Sequence, residues 1–429
     1  MADVLAYAEV RLWDQTVGGV VELEDGGIVF EYDEDFRKSG LEISPIHLPL
    51  SLSGPVRFEE IRRASAFQGL PGVLADALPD SFGRKVIRAY YTARGEVERA
   101  LSPVQNLLYV GTRAIGALEF HPPMEPPART SEAEALEMAD LVADARRILS
   151  GEVEVTLPEI YRIGSSAGGM RPKAVVLYNP EKDEIRSAFA SPDEGDVPAI
   201  VKFDGVGPDA PSGNFGRPLP YNRIEAAYAR MAQEAGVRVA DLSVWEGPEG
   251  HAHLIIRRFD RPNGGKLHQH TLGGLLHLDY NHPGASSYEE YLRTILSLGM
   301  SHSAVVEGYR RMVMNVLAIN QDDHVKNQSF QMDEAGAWSL TPAYDITFAK
   351  GSGWTANHQM RVGDKRAGIE RADLIRVARN FGVRAPERIL DRVAEVVSRW
   401  PEYARDTGVP KESLEAVGRA LEERARQVG

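Results

Sequence analysis

The 429-residue chain contains no cysteine. Disulfide staples, thiolate nucleophiles and Cys-ligated zinc or iron–sulfur centres are therefore excluded. It also lacks any window approaching the ~18 uninterrupted apolar residues that a spanning helix needs, so no membrane-crossing segment is predicted. The first residues, MADVLAYAEVRLWDQ, have neither a basic n-region nor an apolar h-region. No secretory signal is predicted, and the expected location is the cytoplasm. Internal repeats and low-complexity tracts are absent too. Positive charge is in deficit: 49 Lys+Arg against 62 Asp+Glu leave a net charge of −13. A surface built throughout for nucleic acid is excluded, although a local basic groove is not.

What is present is an ordinary globular composition, 43% apolar and 26% charged, with 40 glycines and 26 prolines spread along the chain. At roughly 100–200 residues per domain, two or three domains are expected. Residues 1–125 read as a β-rich front unit. Val4–Trp13, Gly18–Leu23 and Ile28–Tyr32 are alternating or apolar runs broken at Gly26-Gly27. Extended segments follow at Ser44-Pro45 and Leu48-Pro49-Leu50, then a helix over Asp80–Thr92 capped by Asp80 or Ser81. Leu107–Val110 and Ala114–Phe120 read as further short strands. His121–Thr130 holds four prolines in ten residues and reads as a linker. A helix from Ser131 to about Leu149 restarts with a Ser131/Glu134 capping box.

Residues 126–262 read as a strand-rich lobe, with strands at Ala174–Tyr178, Ala199–Phe203 and Leu254–Phe259 and a helix over Asn222–Ala235 ended by Gly236. Residues 263–429 are mainly helical: Tyr288–Leu298, Ser303–Ile319, Arg371–Asn380, Glu387–Trp400 (stopped by Pro401) and Lys411–Gln427. The fold class expected is α+β, a two-lobed protein-kinase-like plan behind a β-rich N-terminal subdomain.

Four sequence elements carry chemistry in an order that suits phosphoryl transfer. The first is Gly164-Ser165-Ser166-Ala167-Gly168-Gly169, followed by Met170-Arg171-Pro172-Lys173. Small residues let backbone N–H groups approach a polyphosphate, although a flexible hairpin turn needs the same residues. It matches neither the P-loop nor the dinucleotide fingerprint. The second is Lys202, whose stem lies among apolar strand residues and whose ammonium requires an anion. Its candidate partner is Glu225, although Asn222 and Glu225 also read as a simple capping box. The third is Asn320-Gln321-Asp322-Asp323-His324-Val325-Lys326-Asn327, directly after an apolar helix. It offers a carboxylate to accept a hydroxyl proton and an amide oxygen for a cation, against the plainer reading of a solvated loop. Zinc is disfavoured because no second histidine sits at ligand spacing. The fourth is Asp345 in Tyr344-Asp345, 23 residues after Asp322; it is either a turn former or a second carboxylate for Mg²⁺. His268, His270, His277 and His282 have no helical ligand spacing and read as loop and surface residues. Arg257-Arg258-Phe259-Asp260-Arg261 reads as an interlobe hinge or a charged strand end.

These residues carry a resemblance over the whole length to HipA-family serine/threonine kinases, the toxin components of HipBA-type toxin–antitoxin modules. It rests on Phe30-Glu31-Tyr32, Ile43-Ser44 with Leu48-Pro49-Leu50, Leu78-Pro79-Asp80-Ser81 with Gly83-Arg84, and Gly116-Ala117-Leu118. The Gly-Ser-Ser segment, Lys202, Arg258-Phe259-Asp260-Arg261, the Asp-Asp-His-x-Lys-Asn run and Tyr344-Asp345 continue it. The resemblance implies ATP and Mg²⁺ as cofactors. Gly164, Ser165, Ser166, Ala167, Gly168 and Gly169 would lie over the phosphates, Lys202 would contact them, and Glu225, Arg257 and Phe259 would complete the nucleotide site. Asp322 would be catalytic, His324 and Lys326 would organise its loop, and Asn327 and Asp345 would hold metal. It further implies autophosphorylation at Ser165 or Ser166, a protein substrate such as an aminoacyl-tRNA synthetase, and a HipB-like helix-turn-helix antitoxin through which DNA is met only indirectly. Arg257 departs from relatives that carry glutamate there. A catalytically weak corepressor module and a small-molecule kinase remain the alternatives.

Overall fold

A computed structural model describes residues 4–93, 101–124, 141, 142, 145, 147, 172–188, 190–204, 220–247 and 250–428. The expected linker beyond Met124, most of the helix expected from Ser131 with its capping box, and the whole Gly164–Gly169 segment lie outside the described residues.

The front unit is built on an antiparallel sheet of β1 (Val4–Leu12), β2 (Gln15–Leu23) and β3 (Ile28–Tyr32), closed on the other side by β4 (Leu118–His121), in the order β3-β2-β1-β4. Leu12 pairs with Gln15, so Trp13 and Asp14 form a two-residue turn, both at positive φ, as the strand twist demands. Ala8, Val10 and Leu12 alternate inward and join Phe30, Ile43, Leu48, Leu74 and Phe120 in one core. Against this sheet and its loops lie α1 (Gly72–Ala75), α2 (Ser81–Ala93) and α3 (Pro103–Val110). The strand expected at Leu107–Val110 is therefore the last turn of a helix. Ser102 and Gln105 form a capping box with Pro103 in the first turn, and that signal outranks a short apolar run whose period is ambiguous.

The second sheet is a five-stranded antiparallel one. Its strands are β5 (Lys173–Asn179), β6 (Glu184–Ser187), β7 (Val197–Lys202), β8 (Leu242–Glu246) and β9 (Ala252–Arg257), in the order β6-β5-β7-β9-β8. Between β7 and β8 comes α4 (Tyr221–Glu234), ended by Gly236 at φ 88°. The expected capping box does not form. Pro220 is the N-cap, and Asn222, inside the first turn, donates its amide to the carbonyls of Lys202 at 3.1 Å and Ala252 at 2.9 Å. That pins the helix start to two strands and frees Glu225 for another partner.

The remainder is mainly helical. It begins with β10 (His268–Thr271) and α5 (Leu272–Leu276), then α6 (Tyr288–Ser297) and α7 (His302–Leu317). The strands β11 (Ser329–Met332) and β12 (Trp338–Leu340) join β10 in a small sheet. Four helices finish the chain: α8 (Arg371–Asn380), α9 (Pro386–Ser398), α10 (Trp400–Asp406) and α11 (Lys411–Val428). Pro401 ends one helix by entering the first turn of the next, where its missing N–H costs nothing. Tyr228 of α4 packs with Tyr288, Tyr291, Tyr309, Phe330 and Trp400 in the largest core, so α4 couples the sheet lobe to the helical lobe. The two-lobed α+β plan behind a β-rich unit is the observed architecture.

Two of the junctions between the front unit and the rest of the chain show how it is held. Asp260, buried after β9, accepts from Arg258, from Arg261 and from the Gly116 N–H, while both arginines donate to the Ala114 carbonyl. At the second junction Gly72 of α1 packs directly on Gly274 of α5: a Cβ on Gly72 would lie 2.0 Å from the Gly274 carbonyl oxygen. Gly72→Ala is expected to destabilise the protein by about 1–3 kcal/mol. The check is the urea midpoint, which should fall; an unchanged midpoint contradicts the close approach.

Candidate active site

Lys202 ends β7, the central strand of its sheet, on the face opposite the inward Ala199 and Val201, with its ammonium buried at the strand's end. Nζ donates to Glu225 Oε1 at 2.6 Å and to Asp345 Oδ1, so one cation joins strand, helix and the segment after β12. Burial alone would depress Lys202, but the carboxylates of Asp345 and Glu225 outweigh it and raise the ammonium's pKa. For Asp345, burial pushes the other way from its neighbours; Lys202 and Lys173 win and hold the carboxyl at about 2. Asp345 sits at φ 53°, a left-handed conformation that aspartate tolerates better than most residues.

Lys173, directly across the β5–β7 pair from Lys202, is a residue to which the sequence reading gave no role in the site. Its ammonium lies 3.6 Å from buried Asp80, at the start of α2 in the front unit. Burial lowers its pKa, against the pull of Asp80 and Asp345. The run Arg171-Pro172-Lys173 beside the Gly-rich segment was the available signal, since a lysine entering an apolar strand is a buried cation in waiting.

The segment after α7 divides its two adjacent aspartates. Asp323 is fully buried and accepts from Tyr288 Oη at 2.7 Å, His358 Nδ1 at 2.9 Å and the Gln359 N–H at 2.7 Å. It is a peg that fixes the loop. The Asp322 side chain is 41% exposed and accepts from Trp354 Nε1 at 2.7 Å. Burial pushes the Asp322 carboxyl above the ordinary aspartate range; His324 and the indole pull it back only in part, and Asp345 and Asp323 add to the rise. Such a carboxylate is a better proton acceptor than a free one. Asn327 spends its amide N–H₂ on the Asp322 carbonyl at 3.0 Å. Tyr344 Oη holds the Lys326 carbonyl at 2.7 Å, tying this loop to the residue before Asp345. His324 has its ring between Tyr280 and Trp354, and burial lowers its pKa. The Lys326 ammonium lies over the Tyr280 ring.

Of the run expected to be a hinge or a charged strand end, Arg257 is exposed at the end of β9, and its N–H bonds the Asp241 carbonyl. Phe259 stacks on Tyr344 with ring centroids 5.9 Å apart. The loop-and-surface reading fails for three of the four histidines. His268 and His270 are fully buried on β10, and His277 packs its ring on His47. Their alternation on a short strand was the overlooked signal. His268 Nε2 donates to the Ile43 carbonyl, and His270 lies between Asp76 and Ser44. Burial pushes His268 and His277 down to about 3.

Among the described residues no group of three His, Asp or Glu forms a ready-made metal cage. Asp345 lies near enough to raise the Asp322 carboxyl, and Asn327 is tied to the Asp322 backbone; as cation ligands these three would offer only hard oxygen. That set fits Mg²⁺, which keeps waters and phosphate oxygens in its shell, and does not fit a closed zinc site. Lys202→Met would strand Glu225 and Asp345 as buried carboxylates and is expected to cost about 3–5 kcal/mol near neutral pH. Asp345 is depressed in the fold, so its contribution is present above the unfolded carboxylate range and is lost as pH falls toward about 2. The difference in unfolding free energy between wild type and Lys202→Met should therefore shrink from about pH 5 toward about pH 3, and a pH-independent difference contradicts the pairing.

With this geometry in hand, comparison with known proteins gives a consistent result. The sequence profile of the HipA N-terminal domain matches residues 8–121, and that of the HipA-like C-terminal domain matches residues 165–400. Y4dM of Sinorhizobium fredii, whose name carries a provisional kinase assignment, is 25% identical over 411 residues, covering 91% of this chain and 90% of that one. A Haemophilus influenzae protein with the same provisional assignment is 32% identical over 135 residues, 28% of this chain and 39% of its own. The fold is that of HipA in the Shewanella oneidensis MR-1 complex of HipA, HipB and operator DNA. The TM-score is 0.67 at 17% identity, over 98% of this chain and 97% of that one. A profile spanning more than half the chain, preceded by its N-terminal companion, places this protein in the HipA family.

Proposed function

We propose that this HipA-family chain is an ATP- and Mg²⁺-dependent serine/threonine protein kinase of a toxin–antitoxin module, working in the cytoplasm. The carrying observation is the Lys202 ammonium held between Glu225 and Asp345. A strand lysine fixed by a helix glutamate is what a kinase needs to grip α- and β-phosphates. Residues 1–125 would form the accessory unit, 126–262 the nucleotide lobe and 263–429 the catalytic lobe.

In this reading Gly164, Ser165, Ser166, Ala167, Gly168 and Gly169 would serve the phosphates, and the backbone around Arg257 and Phe259 would meet the adenine. Asp345 and Asn327 would hold Mg²⁺, which when bound neutralises phosphate charge. Asn327 has already committed its N–H₂ group, so its amide oxygen would be the atom left for the cation. Asp322 accepts the proton of the attacking hydroxyl, with His324 and Lys326 shaping its loop and Lys326 directed toward the γ-phosphate. The protein contributes orientation and charge, with no covalent enzyme intermediate. Phosphorylation of Ser165 or Ser166 would place roughly two negative charges beside the nucleotide and silence the site.

The substrate class is a protein hydroxyl, with an aminoacyl-tRNA synthetase as the family's precedent. The Shewanella complex supports a HipB-like helix-turn-helix antitoxin as partner. A net charge of −13 fits DNA contact made mainly through that partner. The test is radiolabelled ATP with Mg²⁺ and cell lysate, followed by mass spectrometry of phosphopeptides. Asp322→Asn and Asp345→Asn are each expected to lower transfer by about 10³-fold or more with unchanged circular dichroism. Asparagine tolerates the left-handed backbone at 345, so the second variant removes charge without adding strain. Undiminished transfer in both variants rejects the site.

A further inference from the structure

We propose that Trp354 selects the acceptor: its indole holds Oδ1 of the partly exposed Asp322 carboxylate until a hydroxyl carried on a polypeptide displaces it. This deepens the reading of Asp322 as the base and rests on it.

Trp354 stands 32 residues beyond Asp322, yet its Nε1–H donates to Asp322 Oδ1 at 2.7 Å. It does so while 39% exposed, an unusual placement for the largest apolar side chain. The backbone behind it is anchored. Buried Gln359 donates its amide to the carbonyls of Trp354 at 2.6 Å, Asn357 at 2.9 Å and Gln321 at 3.1 Å. The Gly351 N–H meets the Thr355 carbonyl at 3.0 Å, closing a tight loop. On the outer side the constraints end: Gly353, just before the tryptophan, has no atom within 4 Å of where a Cβ would be. The segment is thus fixed on its catalytic-loop side and open on its solvent side.

The rim around the carboxylate is aromatic. The His324 ring lies 6.5 Å from the indole and 5.7 Å from Tyr280, and Lys326 sits over Tyr280. A serine or threonine on a peptide gains apolar contact here through its neighbours, whereas a water molecule gains none.

The chemistry requires such a filter. In transfer, the acceptor O–H gives its proton to Asp322 while its oxygen forms a bond to the γ-phosphorus. The bond from that phosphorus to the bridging oxygen breaks, and its electron pair leaves with ADP. Water satisfies the same balance and yields ADP and inorganic phosphate, so the carboxylate alone does not discriminate. An indole on Oδ1 makes any acceptor compete for that oxygen and yields more readily to one that gains contact along the rim.

The experiment uses full-length protein with ATP and Mg²⁺, first with water as sole acceptor and then with dephosphorylated casein as a probe protein. Trp354→Ala is expected to raise initial phosphate release about tenfold with unchanged KM for ATP, and to lower the ratio of casein phosphorylation to phosphate release. Trp354→Phe keeps a ring but no N–H and should fall between. Asp322→Asn should silence both reactions. If Asp322→Asn silences both and Trp354→Ala leaves phosphate release unchanged or lower, the cap is refuted while the base stands. If Asp322→Asn retains both, the base reading fails and the cap falls with it. Circular dichroism of the surface variants checks that neither outcome reflects unfolding.

Discussion

One buried ammonium organises the cleft. Lys202 satisfies Glu225 from α4 and Asp345 from the segment after β12, elements that otherwise belong to different layers. A buried cation between two carboxylates is stable only while both remain, so the interaction fixes where the strand lobe meets the helical lobe. The same constraint explains why Asp345 is tolerated at positive φ and why its carboxyl stays ionised far below the usual range. When phosphates enter, as the proposed function requires, Lys202 would have to share its donors, and Asp345 would be released toward a cation. The site is poised by electrostatics before any nucleotide arrives.

The front unit contributes to that poise directly. Its Asp80 faces Lys173, whose field reaches Asp345. Its Asp76 accepts from the Thr271 N–H and hydroxyl and bonds His270, holding the start of α5. From α5, the Gly273 N–H reaches the Val325 carbonyl inside the loop that carries Asp322 and Asn327. With the Asp260 knot at Gly116, these contacts make the front unit a brace for both lobes.

Much of this was legible in the sequence because its signals were periodic or chemically unusual. The helix at Arg371–Asn380 and the strand around Lys202 follow from pattern alone, and a lysine in an apolar strand announces a buried anion. The misreadings share a cause: two explanations fit the same residues, and tertiary contacts chose. Leu107–Val110 is apolar in either a strand or a helix end, and the capping box at Ser102 decides. Asn222 has the right spacing for an N-cap, but two strand carbonyls offer it better partners. The histidines of β10 look like surface groups until a neighbouring unit covers them. Nothing local separates Asp322 from Asp323; only Tyr288, His358 and Gln359, from distant segments, commit one to structure and leave the other partly exposed. Trp354 carried no signal at all, because its meaning lies in what it touches.

The central claim is that Lys202 and Asp345 grip one metal–nucleotide complex. Isothermal titration of ATP, with and without Mg²⁺, tests it most directly. The account predicts that wild type binds more tightly with Mg²⁺, that Asp345→Asn loses that increment, and that Lys202→Met loses affinity under both conditions. Wild-type affinity and Mg²⁺ dependence in both variants would contradict it.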